Sequence, residues 1–452
     1  MHKENALPAL QTDTSFKHLW ILAYPAMIGM LAEQVVGVVD TAFLGHLGEV
    51  ELGASAIAST YYIILYCIGM GFCTGTQILI SRRNGEKNYK QIGGIFENGL
   101  YAVWGISAVL IVLSFVYSPY LLRHIVASDV IVDATLKFLN IRVFTLFFSL
   151  GNTMMRSFFV GILNMRYISI ASLIIAGTNG ILDYILIFGK LGLPEMGLEG
   201  AAIASVLAEM IGFAYLVIVV LLKVDIEKYA MFRFSKPSWN LFKKTFQLSG
   251  AVMFQNLFVM SSWFLFFAII EKTGVDNLAV TNIARSYYAL ILVPIWAYNM
   301  AVGTKVGNAI GANERQLVYR IIWKATQLSV LTSLVIATAT ALLPKLIMSI
   351  YTEDVMLIEL GYRSFYVIAI AIVMGALTSG CYAAIPATGN TTVAMIIGIG
   401  NMTIYLFYTW LISQWFPTQP AWFWSSEILY YVLTGSISIL YLRTGRWANK
   451  KI

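Results

Sequence analysis

ELGASAIASTYY, residues Glu51–Tyr62, returns in altered form as NLAVTNIARSYY, residues Asn277–Tyr288. Sliding the second half of the chain over the first by 226 positions brings Leu52, Ile57, Ala58, Tyr61 and Tyr62 onto Leu278, Ile283, Ala284, Tyr287 and Tyr288. The same shift carries Gly85 onto Gly311 and Asn164 onto Asn390. One constant offset, held from Glu51 to Asn164, marks a duplication. Each half then supplies the same elements in the same order and orientation.

Those elements are membrane helices. Of the 452 residues 59% are hydrophobic and 12% charged, about half the charged fraction of a soluble domain. Apolar runs near twenty residues read as transmembrane helices. Twelve occur, at 19–44, 52–80, 97–120, 134–158, 168–189, 200–222, 245–270, 277–301, 322–344, 361–385, 392–415 and 422–442. The expected fold is an all-α membrane protein: twelve transmembrane helices in two six-helix halves related by an internal parallel repeat. The expected domains are a lobe at 1–222, a basic linker at 223–244 containing Pro237, and a lobe at 245–452. No small-residue cleavage site follows the first apolar run, so it reads as a retained helix. Parallel repeats are a transporter device, with the site between halves that rock around it.

The net charge of +7 is explained by topology. One set of loops and tails holds nearly all the basic residues, from Lys3 and Lys17 through the 223–244 loop to Lys450 and Lys451. The opposite set holds only Arg123, Lys190, Lys272 and Lys345. Cytoplasmic loops carry the excess of Lys and Arg, so both termini are expected in the cytoplasm and the protein in the cell membrane as a multi-pass chain. Nucleic acid is excluded as a partner, because no loop is long enough to form a folded basic domain. Cys67, Cys73 and Cys381 lie in apolar segments without metal-like spacing. Phosphate loops, zinc motifs and nucleophile elbows are missing from the sequence, so no enzyme activity, cofactor or metal is expected.

Four acids stand deep in the predicted spans: Glu33, Asp40, Asp183 and Glu209. A charged acid at the bilayer centre costs roughly 2.5–3.5 kcal/mol on insertion scales, so such residues face a cavity or a partner. Glu33 and Asp40 are two helical turns apart and share a face. Asn179 and Asp183 are four apart and do the same. Under the 226 shift the four acids land on Val259, Phe266, Thr409 and Gly435. The halves share a scaffold, and the expected acidic pocket lies inside the first half alone. Desolvation and a neighbouring acid both disfavour the charged form of a carboxyl. Such a pocket exchanges protons, or binds a sodium ion with amide and carbonyl help. The bland alternative is an acid paired with a buried arginine, for which Arg142 and Arg285 are the candidates.

These residues also carry a likeness. LAYPAMIGML, VVGVVDTAFLGHLG, ELGASAIAS, RRNGEKNY, GILNMR, NGILDYILIFG and AIPATGN together resemble the multidrug and toxic compound extrusion (MATE) family, in its DinF-like branch. The likeness runs the length of the chain. It implies a cation-coupled antiporter that exports amphipathic, mostly cationic organic compounds by alternating access. In that branch the coupling site corresponds here to Asp40, Asn179 and Asp183; the other deep acids, Glu33 and Glu209, are candidate secondary groups on their position in the spans alone. Two departures stand out. Phe138 occupies the place of a frequent tyrosine in helix 4, and Gln255 the place of an acid found in helix 7 of another branch.

Further features are weaker. Pro25 lies in the first span and removes a backbone hydrogen bond, making it a candidate hinge or a static kink. Gly71 and Gly75 form a G-x-x-x-G spacing, which means close helix packing. The 18 Met and the aromatic residues suit an adaptable cavity, and lipid-facing positions account for most of them. Asn401-Met-Thr403 matches a glycosylation sequon within a span and is discounted. The proton is favoured over sodium, since no dense oxygen-ligand set stands out. Alternatives are a sodium-coupled drug exporter, a lipid-linked substrate flippase of the same superfamily, and an intramembrane aspartyl protease using Asp40 and Asp183. Against the last, no Gly-x-Gly-Asp stretch surrounds either acid. A monomer is expected.

Overall fold

The computed structural model describes residues 13–234 and 236–450; Lys3 and Lys451, counted above among the basic tails, lie outside them. Among the described residues every regular element is a helix. α1 is Phe16–Leu47, α2 Glu49–Gly85, α3 Tyr89–Ile125, α4 Asp129–Arg142, α5 Thr145–Gly161, α6 Arg166–Ile187, α7 Gly197–Lys223 and α8 Ile226–Tyr229. The second half follows with α9 Trp239–Glu271, α10 Val275–Ile291, α11 Val293–Gly311, α12 Leu317–Leu342, α13 Pro344–Ser349, α14 Val355–Ala387, α15 Thr391–Trp415, α16 Pro420–Phe423 and α17 Ser425–Arg443. All twelve expected spans fall on helices, with α4–α5 sharing the fourth span and α10–α11 the eighth. Among the described residues nine helices are long and apolar enough to cross a membrane singly, and the α10–α11 pair, bent by 43°, makes a tenth.

Local chemistry sets the helix ends. The backbone N–H of Ser15 donates to Asp13 Oδ1 at 2.7 Å and that of His18 to Ser15 Oγ at 3.3 Å, occupying donors that the first turn of α1 leaves free. Asp354 accepts from the N–H groups of Met356 and Leu357 at the start of α14. The eighth span breaks at Leu292 because Pro294 enters α11 at its first turn, where a proline cannot continue the preceding hydrogen-bond ladder.

The 226 offset reappears in the backbone. α2 runs 49–85 and the α10–α11 pair runs 275–311, the same bounds shifted by that number. Positive φ angles also recur in register: Gly48 at 155° with Gly274 at 130°, Lys87 at 58° with Asn313 at 61°, and Leu163 at 64° with Gly389 at 92°. Lys87 and Leu163 hold a conformation that costs an L-residue about 1–2 kcal/mol. Equivalent turns are thus kept where the residue types have diverged.

By contacts the chain divides into two compact units. One is Ile28–Met253; the other joins the chain up to Met27 with everything from Phe254 onward. The first unit is organised around Leu44, Ala54, Ala58, Val132, Phe138 and Ile187. Its α2 lies against the start of α9 at Gly71 and Gly75. A Cβ on Gly71 would stand 2.7 Å from Met253 Cα, and one on Gly75 would stand 2.0 Å from Ser249 Oγ. The G-x-x-x-G spacing is therefore a packing surface. Also in this unit, the chain after α7 is bound down. The N–H of Arg233 donates to Glu97 Oε1 at 2.8 Å, and that of Ser238 to Asn98 Oδ1 at 2.6 Å. A Cβ on Gly93 would meet the carbonyl oxygens of Tyr229 and Ala230 at 2.4 Å. The second unit has cores around Tyr288, Ile368, Ile372 and Trp424, and around Phe266, Met402, Tyr405 and Phe423.

Candidate functional site

α6 is apolar enough to cross a membrane, yet it presents Asn179 and Asp183 one turn apart, and they are 2% and 0% exposed. The later part of α1 packs on it. The Phe43 ring lies 5.7 Å from Phe188 and 6.5 Å from Tyr184, and Gly29 leaves room for Ser172. This packing sets Asp40 beside Asp183. The two carboxyls are close enough to act on each other directly but make no hydrogen bond of good geometry. Both oxygens of Asp183, Oδ1 of Asp40 and both polar atoms of Asn179 are buried without a hydrogen-bond partner. Native interiors satisfy nearly all such groups, and each exception asks for a proton, an ion or a water.

Arg142 is near. Its charge reaches both carboxyls, but its guanidinium sits over the Tyr62 ring at 5.2 Å. Among the described residues it forms no ion pair with either acid. Arg285 instead sits over Phe267, at 5.3 Å. The two arginines named from sequence therefore do not neutralise the pair.

Glu33 and Glu209 are placed differently. Glu33 is ion-paired with Arg156 and accepts from Ser172 Oγ at 3.4 Å. Glu209 accepts from Asn152 Nδ2 at 2.6 Å, and the same amide donates to the Glu209 carbonyl at 2.9 Å. These two acids already have partners, whereas among the described residues Asn179, Asp183 and Oδ1 of Asp40 have none. Pro25 lies within α1, which runs through it as one helix. Phe138 is 3% exposed in an apolar cluster and brings no hydroxyl to the pair. Gln255 donates to Tyr382 Oη at 2.6 Å, a neutral tie in place of an acid. Two carboxyls and one amide can bind a proton or a small cation. Among the described residues no group of three or more His, Cys, Asp or Glu is assembled for a metal.

The model of the family described as MatE matches residues 25–185 and again 251–411. The two matches are themselves 226 positions apart. The chain belongs to the MatE family. This MatE chain is 25% identical over 467 residues to the Thermotoga maritima protein named "Probable multidrug resistance protein NorM", covering 99% of this chain and 97% of that one. A protein of the same name from Synechocystis is 24% identical over 448 residues, covering 95% and 93%. A solved transporter of the MOP superfamily from Pyrococcus furiosus superposes with a TM-score of 0.90 at 18% identity over the whole of both chains. The MatE protein is thus a membrane transporter and not an enzyme, with twelve transmembrane helices in two repeated halves.

The MatE fold corrects one expectation. Buried acids are not confined to the first half. Glu427, on α17, is 5% exposed and hydrogen-bonded to Tyr288. In sequence it stands near the edge of the last span, in WFWSSEILYY, where acids are ordinary interfacial residues. A sequence signal existed in the aromatic residues flanking it and in its place within 422–442.

Proposed function

We propose that this chain is a proton-coupled antiporter that exports amphipathic, mostly cationic organic compounds across the cell membrane by alternating access. Asp40, Asn179 and Asp183 form the coupling site, and Pro25 is the hinge of α1. Both termini and the 223–244 segment are cytoplasmic, and that segment joins lobes at 1–222 and 245–452. The observation that carries this reading is the side-by-side carboxyls of half-buried Asp40 and buried Asp183: among the described residues neither has an ion pair, and both oxygens of Asp183 and Oδ1 of Asp40 have no hydrogen-bond partner. A group left unsatisfied in this way exchanges its ligand readily, whereas Glu33 and Glu209 are tied up. The names borne by the Thermotoga and Synechocystis relatives support a drug-like cargo. A deprotonated pair attracts an organic cation; protonation cancels that attraction and releases it.

Purified protein in liposomes is expected to move ethidium when only a pH gradient is imposed, without sodium. Ethidium binding is expected to weaken on acidification, because protonation removes the negative charge that the cation meets. Transport that needs a sodium gradient and ignores pH overturns the proton assignment. For topology, single cysteines placed at either terminus or between 223 and 244 are expected to resist an impermeant thiol reagent added outside intact cells. Strong labelling from outside reverses the orientation.

A further inference from the structure

The second unit holds a buried acid that the proposed coupling site does not use. Glu427 lies in the first turn of α17, a common place for an acid because of the helix dipole. Among the described residues no backbone N–H of its own helix acts on its carboxyl. It is turned instead toward a set of phenols. Tyr288 Oη, from α10, donates to Glu427 Oε2 at 2.9 Å and lies 3.0 Å from Tyr431 Oη. Tyr405, from α15 and 1% exposed, lies against the same carboxyl with its hydroxyl buried and without a hydrogen bond of good geometry.

No cation balances this carboxylate. Among the described residues no Lys, Arg or His pairs with it, and the polar side chains that act on it are Tyr288 and Tyr405. The other packed elements present apolar groups here. α9 presents Phe266, 5.5 Å from Tyr405 and 6.1 Å from Trp424. α14 presents Gly375 to the Tyr431 ring. The short α16 reads PAWF. On α17 itself the neighbouring titratable groups are Tyr430 and Tyr431. Nor is this a copy of the first-half site: the 226 shift carries Glu427 back to Ala201, and Tyr405 back to Asn179.

We infer that Glu427, enclosed by Tyr288, Tyr405 and Tyr431, is a second proton-exchanging site of this transporter, in the second half of the chain. An ion without a counter-charge is costly in a buried position, which favours the neutral acid. Phenol donors directed at the carboxyl strengthen as charge appears on it, so the anion is also accommodated. Release breaks the carboxyl O–H bond, passes the proton to water and leaves a carboxylate accepting from Tyr288; uptake reverses these steps. The inference stands apart from the roles given to Asp40 and Asp183.

The test is infrared difference spectroscopy across a pH step, on full-length protein in lipid nanodiscs. Wild type, Glu427→Gln, Tyr288→Phe and the Asp40→Asn/Asp183→Asn double variant are compared. A protonated-carboxyl band that grows on acidification is expected in wild type and in the double variant. It is expected to be lost in Glu427→Gln and displaced in Tyr288→Phe, where one phenol bond to the carboxyl is gone. If Glu427→Gln does not fold, the displaced band in Tyr288→Phe decides alone. A Glu427→Gln spectrum matching wild type overturns the inference, as does an undisplaced band in Tyr288→Phe. A band that sodium suppresses at constant ionic strength makes the site a sodium site and overturns it too. Loss of the double variant's own bands, with the Glu427 band intact, reports on the first-half site alone.

Discussion

Asp183→Asn is expected to abolish gradient-driven export while leaving the protein folded in the membrane, and Asp40→Asn to do the same. An amide keeps the size and polarity of the side chain but cannot exchange a proton. Asp183 is fully buried and its oxygens have no partner to lose, so neutralising it leaves no broken ion pair behind. A unit pH gradient is worth about 1.4 kcal/mol, a tenfold accumulation. Exchange of one monovalent cation for one proton cancels the voltage, so this tenfold factor is what each variant should forfeit. Accumulation of ethidium in liposomes should fall to that of protein-free controls, and binding should lose its pH dependence. Matched expression and retained elution as a single species guard against simple misfolding. Near-normal accumulation in both variants returns the pair to a structural role.

The second large effect is on assembly. Gly71→Val is expected to leave little folded transporter. The new Cβ would lie 2.7 Å from the Met253 Cα and 2.9 Å from its N. These are backbone atoms of α9 and cannot rotate away, so the helices must separate. Overpacking costs about 1–3 kcal/mol where side chains can yield, and a backbone obstacle places this change at or beyond the upper end. Gly94→Ala is the control, since nothing lies within 4 Å of the added Cβ and alanine favours a helix by about 1 kcal/mol. The measurement is the monodisperse fraction on fluorescence-detected size exclusion after graded heating. Equal survival of Gly71→Val and wild type would remove the packing argument.

The tandem plan was legible because the helix ends keep their residues: Gly85 with Gly311, Asn164 with Asn390. The turns that repeat at Lys87 and Asn313 were not, since a lysine gives no sign of a positive φ. Asp40 and Asp183 were visible as charges inside apolar runs. That they lack partners was not, because pairing depends on residues far apart in sequence. Glu33 found Arg156, which lies 123 positions away, and not Arg142 or Arg285, the two arginines named as candidates. Glu427 escaped for the converse reason. Its span begins close by, and only α10 and α15 folding over it make it interior.

The stretch after α7 looks, on paper, like the natural place to cut this chain or splice a reporter into it. It is polar, carries a proline and separates the repeats. Its backbone is nevertheless committed: Arg233 and Ser238 give their N–H groups to α3, and Gly93 exists without a side chain so that Tyr229 and Ala230 can lie on it. An inserted tag would have to strip those bonds from the helix, and two separately expressed halves would each begin or end on a surface shaped for the missing strand of chain. The turn at 352–354, whose bonds run only to its own neighbours, is the more forgiving point of entry.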